Sequence, residues 1–239
     1  MPRLSKPKAS ASPRIVCMAK ASPKAEIVRV ARLLDPMRLS RGKSGNVSER
    51  TRRGFLVTPT GVPYEGLLAR QLVELDLEGQ VVAGSLAPSS EWRIHADIYR
   101  TRPDVQGIVH AHPPYATAFA IAGIPLEAVH YMIAVAGGHD VRVARYATFG
   151  TKDLSRHVLK ALTGRYACLM AHHGLVAVGS SVQDALRIAH EVEGVAELQF
   201  LARTIGNAPA LPRAEMDRVV TKFASYGQQP RAARAVKKR

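Results

Sequence analysis

Apolar positions along the chain change period several times, and each change marks an element. The longest helical pattern comes late: Val182, Ala185, Leu186, Ala189, Val192 and Ala196 fall on one face of a helix. Shorter stretches with helical spacing predict helices over 26–34, from Pro88 to about Tyr99, and over 115–122, 154–162 and 213–224. Pro88-Ser89-Ser90-Glu91 supplies start signals for the second of these. Continuous or β-branched apolar runs predict strands over 54–58, 107–112 and 141–144, and a strand pair across 167–178 around His172-His173-Gly174. Pro113-Pro114 stops the 107–112 strand. Val73–Leu77 and Gln80–Ala83 flank Glu78-Gly79 and predict a hairpin. The polar stretch 40–53, with Ser44-Gly45-Asn46, reads as a loop. Strands and helices alternate irregularly, with no repeat and no linker, so the pattern predicts a single α/β domain.

Charge adds to this picture mainly at the ends. The chain has 34 Lys and Arg against 19 Asp and Glu, a formal net charge of +15 over 239 residues. Residues 1–25 and 228–239 hold eleven basic residues and no acid, which leaves +4 for 26–227. Both ends lack apolar periodicity and read as solvated, mobile tails around a body over 26–227. Three roles suit such tails: none in particular, a weak electrostatic contact with nucleic acid or another polyanion, or a targeting peptide at the N-terminus. Two cysteines, Cys17 and Cys168, allow no disulfide framework and suit a reducing, cytoplasmic setting. The most apolar stretch, 115–138, is interrupted by Pro125, Glu127 and His130, so no membrane span of roughly 20 residues is expected.

Candidate chemistry gathers in three places. On a strand, residues two apart share a face, so His110-Ala111-His112 projects two imidazoles side by side from an apolar run. A metal ion resolves their mutual crowding, and imidazole suits zinc. One histidine of His172-His173 could supply a third nitrogen, and Glu91 a carboxylate. Ser44-Gly45-Asn46, Pro59-Thr60-Gly61 and Ser89-Ser90 are small-residue loops whose amides and hydroxyls could together hold one phosphate. Taken singly, each piece has a plainer reading: core histidines, a helix-start carboxylate, ordinary turns and caps.

Taken together and in order, the motifs carry a resemblance. They are Ser44-Gly45-Asn46-Val47-Ser48, Thr58-Pro59-Thr60-Gly61-Val62-Pro63-Tyr64, Pro88-Ser89-Ser90-Glu91-Trp92-Arg93, Val109-His110-Ala111-His112, His130-Tyr131-Met132-Ile133-Ala134, Tyr146-Ala147-Thr148-Phe149-Gly150-Thr151, His172-His173-Gly174-Leu175, His190-Glu191-Val192-Glu193, and Lys222-Phe223 with Tyr226-Gly227. Over roughly 26–227 the chain resembles the class II aldolase/adducin family, and most of all its fuculose phosphate branch.

The resemblance implies a three-layer αβα fold, with a central, mostly antiparallel sheet flanked by helices. It implies zinc held by His110, His112 and His173, with Glu91 as acid/base and as an alternate metal ligand. Gly45, Asn46, Thr60, Gly61, Ser89 and Ser90 would bind the substrate phosphate. Tyr131 would donate a proton from a neighbouring subunit of a homotetramer, and Tyr226 would help close the site. The implied reaction is reversible cleavage of a ketose 1-phosphate to dihydroxyacetone phosphate and an aldehyde. Sugar-phosphate epimerases, dehydratases and decarboxylases share the scaffold and stay open as alternatives. So does a non-catalytic, adducin-like interaction module, against which the retained histidines and Glu91 argue. The body shows no aromatic-basic interleaving, so nucleic acid is expected at most as a weak contact of the tails.

Overall fold

The structure, a computed structural model, describes residues 22–223. The two charged tails and Tyr226 lie outside the described residues, apart from the end of the first tail. Helix α1 runs Pro23–Leu33, with Pro at its start and the Ser22 hydroxyl accepting from Ala25 N at 3.3 Å.

Eight strands form the main sheet. They are β1 (Asn46–Arg50), β2 (Phe55–Val57), β3 (Val73–Leu75), β4 (Val81–Ala83), β5 (Gly107–Ala111), β8 (Val143–Ala144), β9 (Ala167–Met170) and β10 (Gly174–Gly179). Their order is β4-β3-β2-β1-β5-β10-β9-β8, antiparallel except for the β8–β9 pair. A separate pair joins β6 (Leu126–Glu127) to β7 (Asp140–Val141). Among the described residues the other α-helices are α2 (Trp92–Thr101), α3 (Pro114–Ala122), α4 (Lys152–Ala161), α5 (Val182–Ile205) and α6 (Arg213–Phe223).

Strand residues alternate between two cores. Val47, Val109, Ala111, Leu169, Leu175 and Ala177 pack with α1, α3, α5 and α6 on one face. Phe55, Val57, Ile108, Cys168, Met170, Val176 and Val178 pack with α2 and α4 on the other. The molecule is thus the three-layer αβα sandwich that the motifs imply, with a mostly antiparallel sheet.

Three expectations change. The predicted loop over 40–53 contains β1, which pairs with both β2 and β5. Its polar residues Asn46 and Ser48 are buried and hydrogen-bonded internally, so hydropathy hides the strand. The single strand expected over 141–144 is two: Val141 pairs with Leu126, while Val143 pairs with Leu169 in the main sheet. The helix expected from Pro88 begins at Trp92, because Ser89 N bonds Thr58 O and Pro88 bridges Pro59. A 3₁₀ helix over Tyr131–Ala136, which the periodicity does not predict, precedes β7.

Candidate active site

The α2/α4 face of the sheet carries the chemistry. On β5, Ile108 points to that face, so His110 does too, and His112 follows two residues on. His110 is buried, and its Nδ1 donates to Leu175 O at 2.9 Å. That bond leaves the Nε2 lone pair aimed away from the strand, and this buried nitrogen has no hydrogen-bond partner. Past the end of β5, His112 N bonds Leu39 O and Ser40 Oγ, which fixes the backbone that presents the ring.

The third ring comes from the β9–β10 connection. His172 adopts φ 55°, and His173 N returns to Met170 O at 3.0 Å. The turn sends the two neighbours apart. His172 is exposed and packs edge-on against Tyr146, while His173 joins the cluster. Ring centroids lie 4.6 Å apart for His110–His112, 4.8 Å for His110–His173 and 5.3 Å for His112–His173. One nitrogen from each lies within 4.8 Å of the others. Three converging imidazoles, one with an orphaned buried nitrogen, fit a divalent metal with an open position.

Glu91, at the N-cap of α2, faces this group. Its Oε2 lies 3.1 Å from His110 Nε2 and its Oε1 3.3 Å from His173 Nε2. Burial would raise its pKa, but His110, then His173 and the Asn46 amide, hold the carboxyl well below the usual range. His110 shows the converse: burial opposes its charge, yet Glu91 and the Leu175 carbonyl raise its pKa. Burial, followed by repulsion from the neighbouring rings, lowers His112 to about 3 and His173 to about 4. Near neutral pH the cluster therefore presents an ionised Glu91 carboxylate beside the uncharged His112 and His173 rings, a donor set suited to a cation.

The small-residue loops meet beside Glu91. Gly45 takes φ 78°, and a Cβ there would sit 2.5 Å from the His110 carbonyl oxygen. Its own carbonyl accepts from the Tyr64 hydroxyl at 2.6 Å, and burial pushes that phenol up to about 12. Thr60 and Gly61 are exposed on the turn after β2, and Thr60 N bonds Ala87 O. Ser89 is buried with its hydroxyl accepting from Glu91 N at 3.3 Å, and Ser90 is exposed. Asn46 has a second set of contacts beside its expected phosphate role. Its buried amide donates to Glu91 Oε2 at 3.1 Å and accepts from His95, so its side chain is committed beneath the carboxylate.

Tyr131 stands apart, 45% exposed, with its ring against His130 and Phe223. A cleft of about 300 Å³, lined by Glu91, Tyr146, Ala147, Phe149, His172 and His173, opens the cluster to solvent. A second cleft of about 380 Å³ reaches His112 and Ser44 from the α3 side. The larger groove of about 540 Å³, between Tyr166, Ile188 and Phe223, contains none of the expected site residues, and the converging chemistry decides in favour of the smaller cleft. The residue that the motifs do not single out is His95, whose signal is its position one helical turn after Glu91.

Residues 25–200 match the family described as Class II Aldolase and Adducin N-terminal domain. The chain is 45% identical over 201 residues to the 5-methylthioribulose-1-phosphate/5-deoxyribulose-1-phosphate aldolase of Rhodospirillum rubrum, covering 84% of this chain and 90% of that one. It is 46% identical over 190 residues to the L-fuculose phosphate aldolase of Escherichia coli K12, covering 79% and 88%. A solved L-fuculose 1-phosphate aldolase superposes with a TM-score of 0.83 at 41% identity, covering 87% of this chain and 98% of that one. The chain belongs to the class II aldolase/adducin family and is a class II aldolase.

Proposed function

We propose that this aldolase is zinc-dependent and reversibly cleaves a ketose 1-phosphate to dihydroxyacetone phosphate and an aldehyde. The observation that carries the reading is the convergence of His110, His112 and His173 on Glu91, with the His110 Nε2 lone pair unpartnered. His110, His112 and His173 hold the ion. When bound there, it supplies Lewis-acid polarisation of the substrate's carbonyl and hydroxyl oxygens.

The chain's own groups do the rest. Glu91 removes the proton from the hydroxyl-bearing carbon next to the carbonyl of dihydroxyacetone phosphate when the carbon–carbon bond is to form, and returns it to that carbon after cleavage. It is buried, within reach of the cluster and at the inner edge of the cleft. Gly45, Thr60, Gly61, Ser89 and Ser90 cradle the phosphate, and Asn46 adds only what its second amide N–H leaves free. Tyr131 serves as proton donor in a neighbouring subunit of a homotetramer. Its exposure, and its packing on Phe223 rather than on the cluster, support that assignment. Tyr226, three residues past Phe223 in the sequence, helps to close the site.

The aldehyde half of the substrate has two readings within this reaction. Relatives act on L-fuculose phosphate or on 5-methylthio- and 5-deoxyribulose 1-phosphates, as their names state. Tyr146 and Phe149, 61% and 62% exposed at the cleft mouth, favour an aldehyde with an apolar end. A panel of these ketose 1-phosphates, incubated with zinc-loaded protein, is expected to release dihydroxyacetone phosphate, fastest from the 5-methylthio compound. Release from none of them would contradict the proposal.

A further inference from the structure

Glu91 rests on a buried polar chain inside an otherwise apolar layer. On α2, Glu91, His95 and Tyr99 follow at intervals of four and form one stripe facing the sheet. On β1, Asn46 and Ser48 follow at an interval of two and face that stripe, because Val47 between them points into the opposite core. Four helical residues rise about 6 Å. Two strand residues rise about 6.6 Å. The two ladders therefore interleave. Asn46 sits between Glu91 and His95, and Ser48 between His95 and Tyr99.

Donor and acceptor chemistry fixes the polarity of the whole chain. The Asn46 amide donates to Glu91 Oε2 at 3.1 Å, so its carbonyl oxygen Oδ1 must face His95. Oδ1 can only accept, so His95 Nε2 carries the proton of that bond. Burial keeps the ring neutral, so Nδ1 carries no proton and accepts from the Ser48 hydroxyl at 2.6 Å. With its proton spent, Ser48 Oγ accepts from the Tyr99 hydroxyl at 2.8 Å, in preference to the more distant Gln106 O at 3.5 Å. His95, Ser48 and Tyr99 are all at most 1% exposed, and Phe55 packs on the rings of His95 and Tyr99. No water competes for these groups, so each bond constrains the next.

We infer that His95 is a positioning residue for Glu91: it locks the Asn46 amide so that Nδ2 donates to Oε2 and leaves Oε1 to take the substrate's proton. An Asn46 amide turned the other way would put its carbonyl oxygen against the carboxylate and leave His95 Nε2–H without an acceptor. Oε1 has no hydrogen-bond partner, as this division of labour requires. The inference rests on the reading of Glu91 as acid/base, and its tests are chosen so that the two can fail separately.

The first test needs neither metal nor substrate. Long-range ¹H–¹⁵N NMR of the metal-free protein, with the His95 signals identified by their loss in His95→Gln, reads the tautomer directly. A protonated Nε2 and a bare Nδ1 are expected near pH 7; a protonated Nδ1 or a charged ring would overturn the inference. The second test follows deuterium entering dihydroxyacetone phosphate from solvent, catalysed by the zinc-loaded protein. His95→Leu is expected to slow this exchange by about 10- to 100-fold, the usual effect of losing a residue that orients a metal-site group. KM and zinc content are expected to stay unchanged. Gln offers a donor and an acceptor at similar positions, so His95→Gln should recover most of the rate. Equal losses in both variants, or none in His95→Leu, would overturn the inference; should His95→Leu fail to fold, the tautomer and His95→Gln decide. A wild-type protein that exchanges no deuterium would overturn the reading of Glu91 and with it this catalytic consequence, while NMR still decides the order of the hydrogen bonds.

Discussion

Burial penalises charge on Glu91, His110, His112 and His173 alike, and the four groups resolve the conflict differently. Glu91 and His110 each favour the other's charged form, which lowers the carboxyl and raises the imidazole, while His112 and His173, at about 3 and about 4, are neutral at pH 7. Burial, and then the charge of His110, also lowers His95 to about 3. These three depressed values make a prediction for the metal-free protein. Between the unfolded histidine value, about 6.5, and the folded values, the unfolded chain binds more protons than the folded one. Stability is therefore present above about pH 6.5 and lost as the pH falls. His110 works in the opposite sense: its raised pKa adds stability at low pH that is lost as the pH rises through it. Three rings outweigh one, so the urea midpoint of metal-free protein should drop between pH 7 and pH 5. A midpoint that rises over that interval would show that the rings are not buried neutral. The histidine pair His110 and His112 is legible in the sequence because a strand has a period of two. The family resemblance picks His173 over His172; the spacing does not, because the φ 55° turn that parts them is encoded by no periodicity. His95 is silent because its spacing from Glu91 acquires meaning only once β1 is known to lie opposite.

The element that matters most for the site is β1, and its sequence conceals it. Asn46 and Ser48 would ordinarily mark a loop, but each finds its partner on α2, so the strand is buried without being apolar. The strands around it, β5, β9 and β10, are long apolar runs and are legible. So are α5, through its repeated small and branched residues, and the β3–β4 hairpin, through Glu78-Gly79. The turn into β1 is the tightest point. Gly45 holds φ 78° with its α-carbon against the β5 backbone, where an added Cβ would meet His110 O at 2.5 Å and Ser40 Oγ at 2.8 Å. Gly61 has a similar φ, 73°, but open space around it. Gly61→Ala should therefore cost only the left-handed strain, roughly 1–2 kcal/mol. Gly45→Ala should cost clearly more, because β1 or β5 must shift, and should lower zinc occupancy as well. Thermal unfolding of the two variants, with metal analysis, checks this; equal destabilisation would mean that the Gly45 contact yields freely.

At the scale of the molecule, the sheet brings together residues from four distant stretches of chain. β1 carries Asn46, the start of α2 carries Glu91, β5 leads into His110 and His112, and the β9–β10 turn carries His173. No single stretch signals a site strongly; their ordered sequence does, which is why the family is legible and the order of hydrogen bonds under Glu91 is not. Among the described residues no helix is long and apolar enough to cross a membrane. The central claim is that metal-bound histidines and Glu91 together make and break the bond to a carbon-bound proton. Its most direct measurement is deuterium incorporation into dihydroxyacetone phosphate alone, with no aldehyde present, compared among zinc-loaded wild type, chelator-treated wild type and zinc-loaded Glu91→Gln. Exchange in the first, and a loss of on the order of 100-fold or more in the other two with zinc retained in Glu91→Gln, is predicted. Exchange by Glu91→Gln at the wild-type rate would contradict the account, because the proton would then be taken by another group.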